Sequence, residues 1–91
     1  MGEIVSFHAV VRGQVQGVGF RYFARQRAAA HGVSGFVRNL PDGSVELHAE
    51  GAPAALGAFE ADVRRGPSFG RVDEAVVTAI KVRGYQAFEI R

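Results

Sequence analysis

Val33-Ser34-Gly35-Phe36-Val37-Arg38-Asn39-Leu40-Pro41-Asp42-Gly43-Ser44-Val45-Glu46-Leu47-His48-Ala49-Glu50 reads as two strands joined by a tight turn. Pro41 presets φ, Asp42 caps locally and Gly43 accepts a positive φ. After the turn, Val45, Leu47 and Ala49 face one way while Ser44, Glu46, His48 and Glu50 face the other, the period of a half-buried strand. Before the hairpin, Phe20–His31 favours helix and Gly32 is placed as its stop. Earlier still, Gly13–Gly19 holds three glycines in seven residues, too many for a strand or helix interior, and predicts a loop. Val5, Phe7, Ala9 and Val11 alternate with Ser6, His8, Val10 and Arg12, a first strand. Beyond the hairpin, Pro53 opens a second helix with Leu56, Phe59 and Val63 on one stripe, and Gly66-Pro67 ends it. Val72–Val82 predicts a long fourth strand, and Phe88 with Ile90 a short closing one.

The order is β-α-β-β-α-β with a terminal strand. It predicts an α+β, ferredoxin-like βαββαβ sandwich, in which two helices cover one face of a four- to five-stranded, mostly antiparallel sheet. At 91 residues, 47% of them hydrophobic, residues 1–91 make a single domain, able to bury roughly 60–65% of its unfolded surface. The longest apolar run falls short of the ~18 residues of a membrane span, and no charged-then-apolar leader predicts export. Cysteine is absent, which excludes disulfides, thiolate nucleophiles, Cys-ligated zinc and iron–sulfur clusters, and fits a cytoplasmic protein. The net charge of +2 admits an anionic partner without the dense basic stripe of a nucleic-acid binder. Pattern fixes architecture here and leaves function open, because this layout hosts many activities.

Chemistry concentrates in Gly13-Gln14-Val15-Gln16-Gly17-Val18-Gly19-Phe20-Arg21, a glycine-rich connection from strand to helix. Glycines let successive N–H groups curl inward as an anion-binding nest, and the helix N-terminus adds unpaired donors and partial positive charge. Arg21 lies in the first helical turn, where a cation is misplaced unless an anion sits beside it. Its guanidinium can grip two phosphate oxygens at once. A nucleotide P-loop requires Gly-Lys-Ser/Thr where Gly19-Phe20-Arg21 stands, and a dinucleotide fingerprint requires a glycine where Tyr22 stands. Read alone, the loop is also a plain tight connection and Arg21 a solvated helix residue. Asn39 likewise has two readings: an uncharged group that orients a water beside a phosphate, or an Asx residue leading into the turn.

Gln14-Val15-Gln16-Gly17-Val18-Gly19-Phe20-Arg21-Tyr22 resembles one signature of the acylphosphatases, and Gly32-Val33-Ser34-Gly35-Phe36-Val37-Arg38-Asn39 followed by Asp42-Gly43-Ser44-Val45-Glu46 resembles the other. The likeness runs to Phe88-Glu89-Ile90-Arg91. It implies a single acylphosphatase-like domain that hydrolyses acyl phosphates, with catalytic Arg21 and Asn39 and a phosphate-binding loop of Gln16, Gly17, Val18, Gly19 and Phe20. Phe36 stands where the family often has Trp, and His31 where Leu is common, which predicts a half-buried histidine at the helix end. Gly66–Val72 follows the family's Gly-Pro loop only loosely.

The expected reaction needs placement and charge neutralisation rather than a strong acid or covalent nucleophile, because the carboxylate is a good leaving group. No general base lies in either motif, so the bound phosphate itself is expected to accept the water's proton. The expected partners are a small-molecule acyl phosphate and inorganic phosphate, the latter as product and competitive inhibitor. The chain is expected to act as a monomer, without cofactor or metal. The alternative is a ferredoxin-like nucleic-acid or anion-binding module without catalysis. Against nucleic acid, Ser6, His8, Val10, Arg12 and Ser44, Glu46, His48, Glu50 offer no stacking platform. A further alternative is a metal-binding module of the ferredoxin-like class, with His8 and His48 neighbours on the open sheet face; without Cys or a matched carboxylate pair, surface histidines are the commoner explanation. A third reading is a carbamoyl-phosphate-handling piece of a hydrogenase-maturation protein.

Overall fold

The strand β1 (Val5–Gln14) takes an interior place in a sheet, its alternate residues Phe7, Ala9 and Val11 buried at 5%, 0% and 0% exposure. In the computed structural model, which describes residues 2–91, the chain continues through α1 (Phe20–His31), β2 (Ser34–Asn39), β3 (Val45–Gly51), α2 (Pro53–Arg65), β4 (Arg71–Ile80) and β5 (Phe88–Ile90). The strands lie in the order β4-β1-β3-β2-β5. All neighbours are antiparallel except β5, which runs parallel to β2, so the sheet is mixed. Both helices pack on one face, where Phe20, Ala24 and Ala28 of α1 and Leu56, Phe59 and Val63 of α2 meet Phe7, Ala9, Val11, Val37, Val45, Leu47 and Ala49. The ferredoxin-like sandwich expected from the alternation is the fold observed. Phe59, fully buried between Phe7 and Phe88, illustrates its grip: truncation to Ala would cost about 3–5 kcal/mol.

Three boundaries differ from the sequence reading. The loop begins at Val15, not Gly13, because β1 keeps pairing with β4 through Gln14 by way of a bulge between Arg12 and Gly13. Gly13 (φ 136°) is required there, since a Cβ would lie 2.2 Å from the Arg71 carbonyl oxygen. Strand β2 starts at Ser34 because Val33 N–H closes α1 on the Ala28 carbonyl at 2.9 Å. Strand β4 begins at Arg71, not Val72, and ends at Ile80, not Val82, opposite Ser6 at the start of β1. The following segment instead crosses the open face, where the N–H groups of Arg83, Gly84 and Tyr85 all donate to the Glu50 carboxylate.

His31 is half-buried, as expected, and meets Asp62 Oδ2 at 2.8 Å. Arg27 Nε donates to the same oxygen at 2.8 Å, tying α1 to α2, and Arg65 Nη1 within α2 lies 3.0 Å from the other oxygen. Hydrogen bonds from Arg27, then His31, lower the Asp62 carboxyl to about 2. On the open face, Phe36 packs flat on His48 with centroids 4.9 Å apart, and the Arg91 guanidinium covers it at 4.2 Å. That face therefore carries an aromatic, but one only 7% exposed and unavailable for stacking on a base.

Candidate active site

Val15, 1% exposed, carries the chain from β1 into the loop, and Phe20, also 1% exposed, pins the start of α1 in the core. Between these anchors Gly17 (φ 76°) and Gly19 (φ 78°) adopt left-handed conformations that a side chain would strain. Gly19 is the N-cap of α1, no side chain caps that end, and no acidic residue lies in its first turn. The first N–H groups of the helix are therefore available to an anion. Arg21 projects beside them and is exposed. Seven of the ten arginines pair with a carboxylate, and among the described residues Arg21 pairs with none.

Asn39 ends β2 opposite Val45. Its Oδ1 is buried with no hydrogen-bond partner among the described residues. Such an acceptor costs about 1–3 kcal/mol unless a donor reaches it. The turn that follows is closed by Leu40 N–H on the Ser44 carbonyl at 2.8 Å and by Ser44 N–H on Asp42 Oδ1 at 2.9 Å. Hydrogen bonds from Ser44 hold the Asp42 carboxyl below its usual range. Gln16 couples this turn to the glycine loop, its Nε2 donating to the carbonyls of Leu40 and Ser44, both at 2.8 Å.

The two motifs thus meet around a pocket of about 230 Å³ lined by Val15, Gly17, Gly19, Arg21, Tyr22, Asn39 and Ile90. Of the residues singled out in the sequence, Gly17, Gly19, Arg21 and Asn39 share its wall. Gln16, Val18 and Phe20 do not: Gln16 spends its side-chain donors on the turn, Val18 packs against the core and Phe20 lies within it. Val15, Tyr22 and Ile90 are wall residues that sequence reasoning left without a role. Tyr22 had a signal, its place directly after Arg21, whereas Ile90 arrives only through the parallel pairing of β5 with β2. The wall holds a guanidinium and neutral groups, and no carboxylate or imidazole. A set of that kind suits an anion. The one cluster with metal-ligand chemistry among the described residues, His8, Glu46 and His48, lines no part of this pocket.

The acylphosphatase family model matches residues 7–90 of the chain. The chain belongs to the acylphosphatase family. It is 48% identical over 81 residues to an acylphosphatase of Synechococcus sp. (strain WH7803), covering 89% of this chain and 81% of that one. The crystal structure of acylphosphatase from Bacillus subtilis superposes with a TM-score of 0.93 at 39% identity, over 96% of this chain and 98% of that one. Full-length HypF in its phosphate- and nucleotide-bound form contains a similar fold, with a TM-score of 0.90 at 28% identity, matching all of this chain and 12% of that one. The chain is accordingly an acylphosphatase enzyme, and its reaction is the hydrolysis of acyl phosphates.

Proposed function

We propose that the pocket between the glycine loop and Asn39 performs this hydrolysis, with Arg21 as the phosphate-gripping cation and Asn39 as the group that orients water. The observation that carries the assignment is the convergence, in one pocket, of an unpaired guanidinium, an uncapped helix N-terminus and a buried amide oxygen without a donor. Loop N–H groups from Gly17 to Phe20 and the Arg21 fork hold the phosphoryl oxygens and balance their charge. Water, donating one hydrogen bond to Asn39 Oδ1, attacks phosphorus in line with the carboxylate. The new P–O bond forms as the P–O bond to the acyl group breaks, and that electron pair leaves on the carboxylate. The water's proton passes to a phosphoryl oxygen, since the pocket wall offers no general base. The products are a carboxylate and inorganic phosphate, so phosphate competes with substrate. Gln16 acts as a positioning residue, holding the loop against the turn that follows Asn39.

The reaction in this pocket needs no metal, because its wall lacks the carboxylates that hold Mg²⁺ beside a transferred phosphoryl group. The deciding assay compares benzoyl phosphate with phenyl phosphate under exhaustive chelation. Rapid hydrolysis of the anhydride alone, unaffected by chelator and competitively inhibited by phosphate, is the expected result. Comparable monoester hydrolysis, or a rate that returns only with added metal, would overturn the mechanism.

A further inference from the structure

The open face of the sheet, opposite the helices, carries a second constellation that the hydrolytic pocket does not use. His8 of β1 stands directly across from His48 of β3, and Glu46, two residues earlier on β3, projects from the same face. The His8 and His48 rings meet edge to face with centroids 5.1 Å apart, and His8 Nε2 lies 2.8 Å from Glu46 Oε2. One ligand atom from each of the three residues falls within 4.8 Å of the others. From sequence alone the two histidines read as surface residues rather than a metal module, for want of Cys or a matched carboxylate pair; the pairing of β1 with β3 supplies Glu46 beside them. We infer that His8, Glu46 and His48 form a binding site for a borderline divalent cation of the zinc class.

The donor set decides the class of ion. Two imidazole nitrogens and one carboxylate oxygen suit Zn²⁺, Co²⁺, Ni²⁺ or Cu²⁺, whereas Mg²⁺ and Ca²⁺ take oxygen ligands. Bonds of about 2.0–2.1 Å in tetrahedral geometry put ligand atoms about 3.3 Å apart, so the 2.8 Å His8–Glu46 pair opens slightly and any longer separation within the 4.8 Å limit closes, adjustments that side-chain torsions can supply. The supports of the ligands are also in place. Arg38 Nε donates to Glu46 Oε1 at 2.5 Å, leaving Oε2 toward His8. Phe36 stacks on the His48 ring at 4.9 Å, and the Tyr85 hydroxyl lies 3.5 Å from His48 Nδ1. Partners of this kind orient first ligands at metal centres. All three side chains are partly exposed, so an ion can enter and a water can complete its coordination. The ion would bridge β1 and β3 on the open face, and none of its three ligands lines the pocket. It stabilises the sheet and takes no part in hydrolysis.

The test titrates the chelator-treated full chain with Zn²⁺ by calorimetry and with Co²⁺ by visible absorption. The expected results are saturable one-to-one binding, a Tm that rises with Zn²⁺ concentration, and an unchanged rate of benzoyl phosphate hydrolysis. His8→Ala and His48→Ala should each lose the binding, and Glu46→Gln should weaken it at least tenfold. His31→Gln, altering the third histidine, should keep it. Circular dichroism of each variant checks that loss of binding is not loss of fold. No saturable binding in the parent, binding that survives in folded His8→Ala and His48→Ala proteins, or loss of binding in folded His31→Gln would overturn the inference.

Discussion

Two segments of this molecule carry glycine-kinked runs of backbone N–H groups, and they differ in whether the chain supplies an anion to them. In Arg83–Tyr85, with Gly84 at φ 81°, three successive N–H groups close on the Glu50 carboxylate, which is 2% exposed. Burial alone would raise that carboxyl, but the N–H groups of Arg83, Tyr85 and Gly84 outweigh it and hold the group below its usual range. In Val15–Phe20, with Gly17 and Gly19 also left-handed, no protein side chain caps the donors and Arg21 stands beside them without a carboxylate. Similar backbone chemistry does structural work where the chain supplies the anion. Where the chain supplies none, the donors are left uncapped.

Substitutions on the two sides should therefore separate activity from stability. Arg21→Lys keeps the charge and loses the two-pronged grip. It should lower kcat/KM by roughly 10³-fold or more, with inhibition by phosphate largely lost and Tm unchanged. Unaltered phosphate inhibition would place the anion elsewhere. Asn39→Ala should lower kcat by roughly 10²–10³-fold while phosphate still inhibits, because loop and guanidinium are intact. If Asn39 only shapes the turn, steady-state kinetics will instead show normal turnover in a protein less stable by about 1 kcal/mol.

On the other side of the comparison, Glu50→Gln faces three N–H donors with a neutral amide. Denaturant titration should show a loss of about 2 kcal/mol, with turnover per folded molecule preserved. A large fall in kcat would remove the distinction between the two segments. The smallest effect belongs to Asp62, whose folded value of about 2 lies below the ordinary 3.8. A depressed carboxyl contributes stability that is complete above pH 3.8 and is lost as pH falls toward 2. That contribution is at most about 2 kcal/mol, and Asp62→Asn should remove it from the acid-unfolding curve.

The alternation of β1 and β3, the Gly32 stop and the stripe on α2 made the layer order legible, because each signal is local. The extension of β1 through Gly13 and Gln14 was not, since it rests on Arg71, whose carbonyl approaches Gly13 from a distant strand. The end of β4 was hidden for the same reason: residues 83–85 leave the sheet edge for Glu50. At the site, Arg21 stood out by its place in a first helical turn, and Asn39 only through the family resemblance. The task of Gln16 depends on the carbonyls of Leu40 and Ser44, which its own neighbourhood does not reveal. Likewise, Glu46 turns two ordinary histidines into a cluster only once β1 and β3 are aligned.

The central claim is that the glycine loop and Arg21 bind the phosphoryl group. Titrating inorganic phosphate into ¹⁵N-labelled protein tests it most directly, by following every backbone amide at once. The predicted result is saturable shifts at Gly17–Phe20 and at the Asn39 side chain, little change at Arg83–Tyr85, and loss of the response in Arg21→Lys. Saturable shifts centred on any other segment, or none at Gly17–Phe20 at phosphate concentrations that inhibit hydrolysis, would contradict it.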